Sequence, residues 1–568
     1  MIKLPIISKG IDGGMDFQRS TKRINPIPLI AVILIIFILF VILFLRFFQL
    51  TVVKGAYYKN LSEKNRIREV IVEAERGTIV DRKGFVLAKN SPANINQDVS
   101  RLESHRIYSE PEVFAHLIGY RLLASKEDLI SDNCLVKLKS GDKTGKKAVE
   151  KLFECDLRGN QGRKLSEVDA TGKLLRTISI LEPVQGKKIQ LAIDGELQKE
   201  AYDVIKDKKA VVVSLRPRTG EILVLTSSPS YNTQYFEDGS RELSAYFSDD
   251  NKPMLDRATE GLYAPGSVFK MVVATASLEE KQITKETQIK DTGKIQAGSQ
   301  TFNNWYYLQY GRMDEDVDVI KALQRSNDVF FYVVGEKLGP QLIKDWAEKF
   351  GYHQKTGIGI DEFEGTIPFP FWKEDVIRDK WYTGDTYNMS IGQGYILTTP
   401  LQVARATMPF ANGGYMCKPL LLKIGSDVSS EYRIYAKPDC KKMPITNENL
   451  QTIREGMISA CKTGGTGWPF FNFGVHTATP SGTIKVQGSP TLSVASNSAS
   501  LSPIQVGCKT GTAESKPGKQ PHAWFTVFAP ADNPEIVLTV FVEEGGQGSD
   551  VASPIAKNIL QRYFERKE

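Results

Sequence analysis

Histidine is scarce in this chain: there are five among 568 residues, His105, His116, His353, His476 and His522. A Ser-His-Asp hydrolase needs one beside its nucleophile, and no G-x-S-x-G elbow is present to carry such a serine. H-E-x-x-H and a phosphate-binding P-loop are missing too, which removes the usual signatures of zinc proteases and nucleotide enzymes. His522 opens a strand after a turn and reads as a structural hydrogen-bonding residue. The six cysteines are Cys134, Cys155, Cys417, Cys440, Cys461 and Cys508. None forms a C-x-x-C pair, so a zinc site or a thioredoxin-like motif has no support. Cys417 and Cys440 bracket two strand-like stretches, LLLKIG and YRIYAK; the sequence leaves both a bridge and free buried thiols open. No run of basic residues marks a nucleic-acid groove. The net charge of +7 is a mild excess that suits anionic envelope polymers or lipid equally well.

What the chain does have is one long uncharged run, residues 27–45, IPLIAVILIIFILFVILFL. As a helix it would be roughly 28 Å long, close to the hydrocarbon thickness of a bilayer. Lys3, Lys9, Arg19, Lys22 and Arg23 precede it against Asp12 and Asp16. That bias predicts a cytoplasmic tail over 1–26, a membrane anchor over 27–45 and everything after Arg46 outside. A cleaved signal peptide fits less well, because RFFQLTVVKG lacks a small-x-small cleavage site.

The length predicts more than one domain. Residues 46–187 mix charged turns (DRKG, LKSGDKTGKK) with short strand-like pieces (REVIVEA, GTIVD) and gather no catalytic side chains; they read as a spacer or interaction domain. Residues 188–568 read as one large α+β domain. A hairpin, AVVVSL and EILVLTS joined by RPRTG, comes early, helices follow, and the strands HAWFTVFAP and EIVLTVFVEE come late. The Ser/Thr-rich stretch 476–503 reads as a long loop.

A lysine serves as base when burial or a nearby positive charge lowers its pKa. The pattern to seek is S-x-x-K on a helix, where residues three apart share a face. It occurs at Ser140-Lys143, Ser267-Lys270 and Ser459-Lys462. Ser267 follows the turn Ala264-Pro265-Gly266, and Lys270 is the one charge in VFKMVVATASL. The other two pairs lie in a charged loop and at a glycine-rich helix end, and read as coincidence. The triplet K-T-G is sorted in the same way. Lys143 belongs to the charged loop, Lys355 to a connecting loop and Lys462 to KTGGTG. Only Lys509-Thr510-Gly511 leads through a turn into a strong strand. Lys509 and Thr510 there suit a substrate carboxylate, and the N–H of Thr512 can pair with that of Ser267 around an oxyanion. Between these elements, Ser326 and Asp328 interrupt an apolar segment, either as local backbone partners or as cleft residues, with Ser326 relaying a proton.

Ser267-x-x-Lys270, Ser326-Asn327-Asp328 and Lys509-Thr510-Gly511, in that order, resemble the three motifs of the penicillin-binding and serine β-lactamase superfamily. Asn65 to Gly84, LDRATEGLYAPGSVFK, FNNWYYLQYG and Trp381 to Gln402 resemble class B penicillin-binding proteins, on the elongation-type, penicillin-binding protein 2-like branch. The middle motif often ends in Asn; here it ends in Asp328, which when ionised only accepts hydrogen bonds. The stretch before Lys509 is longer than usual for the family, as a lid or, as we favour, an idle insertion.

The resemblance implies a pedestal over 46–187 and a transpeptidase domain over 188–568, an antiparallel sheet flanked by helices. It implies a D,D-transpeptidase that cross-links peptidoglycan stem peptides through an acyl-enzyme. Lys270 would take the proton of Ser267, Ser326 would shuttle it to the leaving amine, Asp328 would orient substrate, and Lys509, Thr510 and Gly511 would hold the terminal carboxylate. β-Lactams would acylate Ser267, and no metal or organic cofactor is expected. The implied partners are the lipid bilayer and a SEDS-type glycosyltransferase. The rivals are a D,D-carboxypeptidase or β-lactamase of the same superfamily, and a non-catalytic scaffold or β-lactam sensor.

Overall fold

A run with no polar face gives a helix nothing to turn toward water or a core. In the computed structural model, which describes residues 26–93, 101–169, 171, 173–477 and 500–566, that run is α1 (Pro26–Phe48). The apolar stretch Ile27–Val53 is the single candidate membrane span among the described residues, and none of it is buried. The chain divides into two units. The first takes the residues up to Val70 together with Lys164–Ile180. It holds α1, the helix Gly55–Arg66 and most of two neighbouring strands, Gly162–Val168 and Leu174–Leu181.

The second unit takes 71–163 and everything from Leu181 onward. Its N-terminal part builds a small sheet from Ile79–Val80, Val86–Ser91, His105–Tyr108 and Ile189–Gln190. Beside it His116 is buried, with Nε2 2.8 Å from the carbonyl of Pro253. Lys143 lies in a short strand, Lys143–Gly145, rather than in a loop. Its charge is held by buried Glu237 at 3.1 Å.

The rest of this unit is built on one antiparallel sheet. In chain order its elements are α2 (Gly195–Ile205), β1 (Ala210–Leu215), β2 (Ile222–Ser228), α3 (Lys270–Glu279), α4 (Val319–Arg325), α5 (Asp328–Lys349), α6 (Pro400–Ala411), α7 (Asn447–Ala460), β3 (Gly507–Ala513), β4 (His522–Ala529), β5 (Ile536–Val542) and α8 (Ser553–Glu565). The strand order is β2-β1-β5-β4-β3. β1 pairs with β2 across the expected hairpin and with β5 on its other side, Val212 facing Val540. The sheet is therefore closed by strands from both ends of the domain, as the sequence suggested.

These strands are continuously apolar because both faces are covered. Val211, Val213, Val537 and Phe541 point into a core shared with α3, α5 and α6. Ala210, Val212, Leu538 and Val540 point into a second core with α2 and α8. Each such valine, leucine or phenylalanine contributes on the order of 1.5–3 kcal/mol through burial.

All six cysteines are paired, as Cys134–Cys155, Cys417–Cys440 and Cys461–Cys508, which answers the question the sequence left open for Cys417 and Cys440. One expectation is corrected: the stretches LLLKIG and YRIYAK are not strands. Leu420 and Leu422 make single bridges only. Ser430–Tyr435 is a 3-10 turn, which lets Tyr432 and Tyr435, three apart, both meet Phe153; a strand would turn them to opposite faces. The 476–503 stretch, and with it the lid or insertion question, lies largely outside the described residues. Only its flanks, Gly474–Thr477 and Ser500–Pro503, are described, and they pair antiparallel.

Candidate active site

Ala264-Pro265-Gly266 launches a 3-10 turn, Gly266–Phe269, that runs into α3. Gly266 has φ +56°, and a Cβ there would sit 2.8 Å from the carbonyl oxygen of Thr512 on β3. Glycine is therefore required twice over, by conformation and by space. Its N–H donates to Gly392 O at 2.8 Å. Opposite it, a Cβ on Gly511 would sit 2.9 Å from Cβ of Trp524 and 3.1 Å from Val268. These approaches bring the turn carrying Ser267 against the strand carrying Lys509. Ser267 is half-buried at this junction, and its hydroxyl makes no hydrogen bond among the described residues.

Lys270, one turn on, is wholly buried. Its Nζ lies 2.8 Å from Ser326 O, 3.4 Å from Ser326 Oγ and 2.6 Å from Asp328 Oδ1, with the ring of Phe331 5.3 Å away. Burial lowers its pKa, and the carboxylate of Asp328 opposes that shift without cancelling it. The amine is turned toward the middle motif rather than bonded to Ser267.

That motif sits where α4 stops and α5 starts. Ser326 closes α4 with φ +53°, a left-handed conformation that costs a non-glycine residue about 1–2 kcal/mol. It aims the hydroxyl between two amines, for Lys509 Nζ lies 2.9 Å from Ser326 Oγ. Asn327 caps α5 by accepting from Phe330 N. Asp328 has both oxygens engaged, Oδ1 with Lys270 and Oδ2 with the N–H of Trp305 at 2.9 Å.

Lys509, on the edge strand β3, is also wholly buried, and its Nζ donates to Thr510 O at 2.9 Å as well. Burial and then repulsion from Lys270 hold its pKa well below the lysine range. Thr510 Oγ1 is 2.7 Å from Thr466 Oγ1. The carbonyl of Thr512 accepts from Gln393 at 3.3 Å. Its backbone thus faces away from β4, and the N–H of the same residue lies on that open side.

The structure therefore gathers Ser267, Lys270, Ser326, Asp328, Lys509, Thr510, Gly511 and Thr512 at one junction of the Ser267 turn, the α4–α5 break and β3. It leaves the K-T-G copies at Lys143 and Lys355 outside it. His522 accepts from Glu544 N at 3.0 Å, a structural role. Sequence reading missed a supporting layer. Asp291 Oδ2 accepts from Asn327 Nδ2 at 2.8 Å and Asn304 Nδ2 at 2.7 Å, and Asn304 Oδ1 accepts from Asp328 N. Both supporting residues, Asp291 and Asn304, are buried. The one signal was Asn304-Trp305, inside a stretch noted only for its resemblance.

Residues 210–561 match the penicillin-binding protein transpeptidase domain. The chain belongs to that family. Residues 99–191 match the penicillin-binding protein dimerisation domain, and the transpeptidase falls on the class B, PBP2-like branch of peptidoglycan D,D-transpeptidases. It is 29% identical to the peptidoglycan D,D-transpeptidase MrdA of Haemophilus influenzae, over 92% of this chain and 89% of the relative. Among solved structures it resembles Pseudomonas aeruginosa PBP2 in complex with WCK 5153, with a TM-score of 0.70 and 29% identity, covering 87% of this chain and 96% of that one. It also resembles a chain of a peptidoglycan synthase complex that coordinates polymerization and crosslinking, with a TM-score of 0.71 and 26% identity, covering 95% and 99%.

Proposed function

We propose that this transpeptidase cross-links peptidoglycan stem peptides through an acyl-enzyme on Ser267. The observation that carries the reading is the convergence of two buried amines, Lys270 and Lys509, on the hydroxyl of Ser326 beside the Ser267 turn. Ser267 Oγ attacks the carbonyl of the D-Ala-D-Ala bond as Lys270 takes its proton. The oxyanion is held by the N–H groups of Ser267 and Thr512. The C–N bond breaks, and Ser326 passes the proton from Lys270 to the departing amine. A neighbouring stem's amine then attacks the acyl-enzyme; the C–N bond of the cross-link forms, the bond to Ser267 Oγ breaks, and the amine's proton returns to that oxygen through Lys270. Catalytic hydrogen bonds tighten when substrate arrives, so Lys270 leaves its resting partners as Ser267 comes into reach. Lys509 and Thr510 take the terminal carboxylate, beside Gly511. Asp328, with both oxygens engaged, sets the basicity of Lys270 rather than contacting substrate.

The same reading puts α1 in the cytoplasmic membrane, with the basic N-terminus inside and the catalytic domain in the periplasm. It makes β-lactams acylating inhibitors and the 46–187 region a docking pedestal for a SEDS-type glycosyltransferase, supported by the likeness to the synthase-complex chain. The test is to label the full-length chain in detergent with a fluorescent penicillin. Stable labelling that disappears in Ser267→Ala supports the transpeptidase. Rapid release of the label instead identifies a β-lactamase, and labelling that survives the mutation removes Ser267 from the mechanism.

A further inference from the structure

The loop leaving α7, residues 461–467, contains the K-T-G copy at Lys462 that reads from sequence as coincidence. In the structure it is tied to both halves of the site. Toward the middle motif, Thr466 N donates to Gln324 O at 3.3 Å, and Arg325 donates to Gly464 O at 2.9 Å. Toward the edge strand, Cys461 is bonded to Cys508, the residue before Lys509, and Thr466 Oγ1 meets Thr510 Oγ1 at 2.7 Å.

Neither of these two hydroxyls has another hydrogen-bond partner among the described residues. A hydroxyl donates once and accepts twice, so one O–H of the pair is consumed between them and the other is left over. When Thr510 donates to Thr466, Thr510 offers only lone pairs to the cleft. When Thr466 donates to Thr510, the Thr510 proton is available for a third partner. An ionised carboxylate accepts only, and so selects the second arrangement. Hydrogen bonds in such a chain polarise one another.

We propose that Thr466 is a positioning residue for the substrate's terminal carboxylate: it donates to Thr510, and Thr510 donates to the anion. The inference rests on reading Thr510 as a carboxylate ligand. It extends the site to a fourth chain segment, which carries no catalytic atom of its own.

The experiment measures second-order acylation of the full-length chain in detergent by benzylpenicillin and by its methyl ester, which lacks the anion. Thr466→Val is expected to slow the acid about tenfold while leaving the ester nearly unchanged. Thr466→Ser is expected to restore the acid-to-ester ratio. Thr466→Ala is a second hydroxyl-free variant should valine prevent folding. A Thr466 variant that slows acid and ester equally, or neither, overturns the relay. Thr510→Val separates the two claims. A ratio lost in Thr510→Val but kept in Thr466→Val sinks the relay alone, and a ratio kept in both sinks the carboxylate reading beneath it.

Discussion

The side-chain nitrogen of Lys270 stands 2.6 Å from Oδ1 of Asp328, with the lysine wholly closed off from solvent. Two opposed effects meet at this contact. Burial disfavours the ammonium and the carboxylate favours it, and burial prevails. In the role proposed for Lys270 a base must be neutral before it accepts a proton, so Asp328 works against early deprotonation.

Asp328→Asn removes the stabilising charge and keeps the shape. The pKa of Lys270 then falls further, and the neutral amine is present from a lower pH. The acid limb of the acylation-rate profile is expected to move to lower pH in the variant. A limb that stays in place, or moves upward, would show that another group titrates there.

The bridge between Cys461 and Cys508 anchors the edge strand one residue from Lys509. Closing a separation of 47 residues stabilises the fold by about 4 kcal/mol in the chain-entropy account. The double variant Cys461→Ser/Cys508→Ser is expected to melt earlier and to bind penicillin more slowly, because Lys509 and Thr510 lose their anchor. Thiol titration of the unfolded, unreduced chain is expected to find no free cysteine; free thiols there would contradict the pairing.

Buried His116 has its pKa pushed down to about 4, chiefly by burial. Its unfolded value is near 6.5, so below that pH the unfolded chain binds the extra proton first. Stability is full above about pH 6.5 and falls as pH drops toward 4, by about 3 kcal/mol in total at roughly 1.4 kcal/mol per pH unit. Urea titrations across this range are expected to show that slope in the native chain and a flatter one in His116→Gln. Parallel slopes would take His116 out of the acid sensitivity.

The parts of this fold that the sequence announces are those whose physics is local. A hairpin signal with β-branched flanks gives β1 and β2. A lone lysine in an apolar helix start gives Lys270. Three short motifs in order give the cleft. What stays hidden depends on residues far apart in the chain. Asp291 supports Asn327 from 36 positions away, and no periodicity marks it. Cys134 and Cys155 meet only because the fold brings them together. Ser326 looks like an ordinary polar interruption until its left-handed backbone turns the hydroxyl between two amines. The KTGGTG loop is judged by its glycines, whereas its role comes from lying beside Thr510.

The order of strands carries a last consequence. β5 inserts between β1 and β4, and β3 lies beyond them at the rim, so the halves of the cleft are made some 240 residues apart during synthesis. A nascent or clipped chain that ends before β3 exposes Ser267 without the lysine that would hold a substrate against it. On the proposed role of Lys509 such fragments are expected to be inert toward both cell wall and drug, so that acylation by penicillin reports on chains that have reached β3.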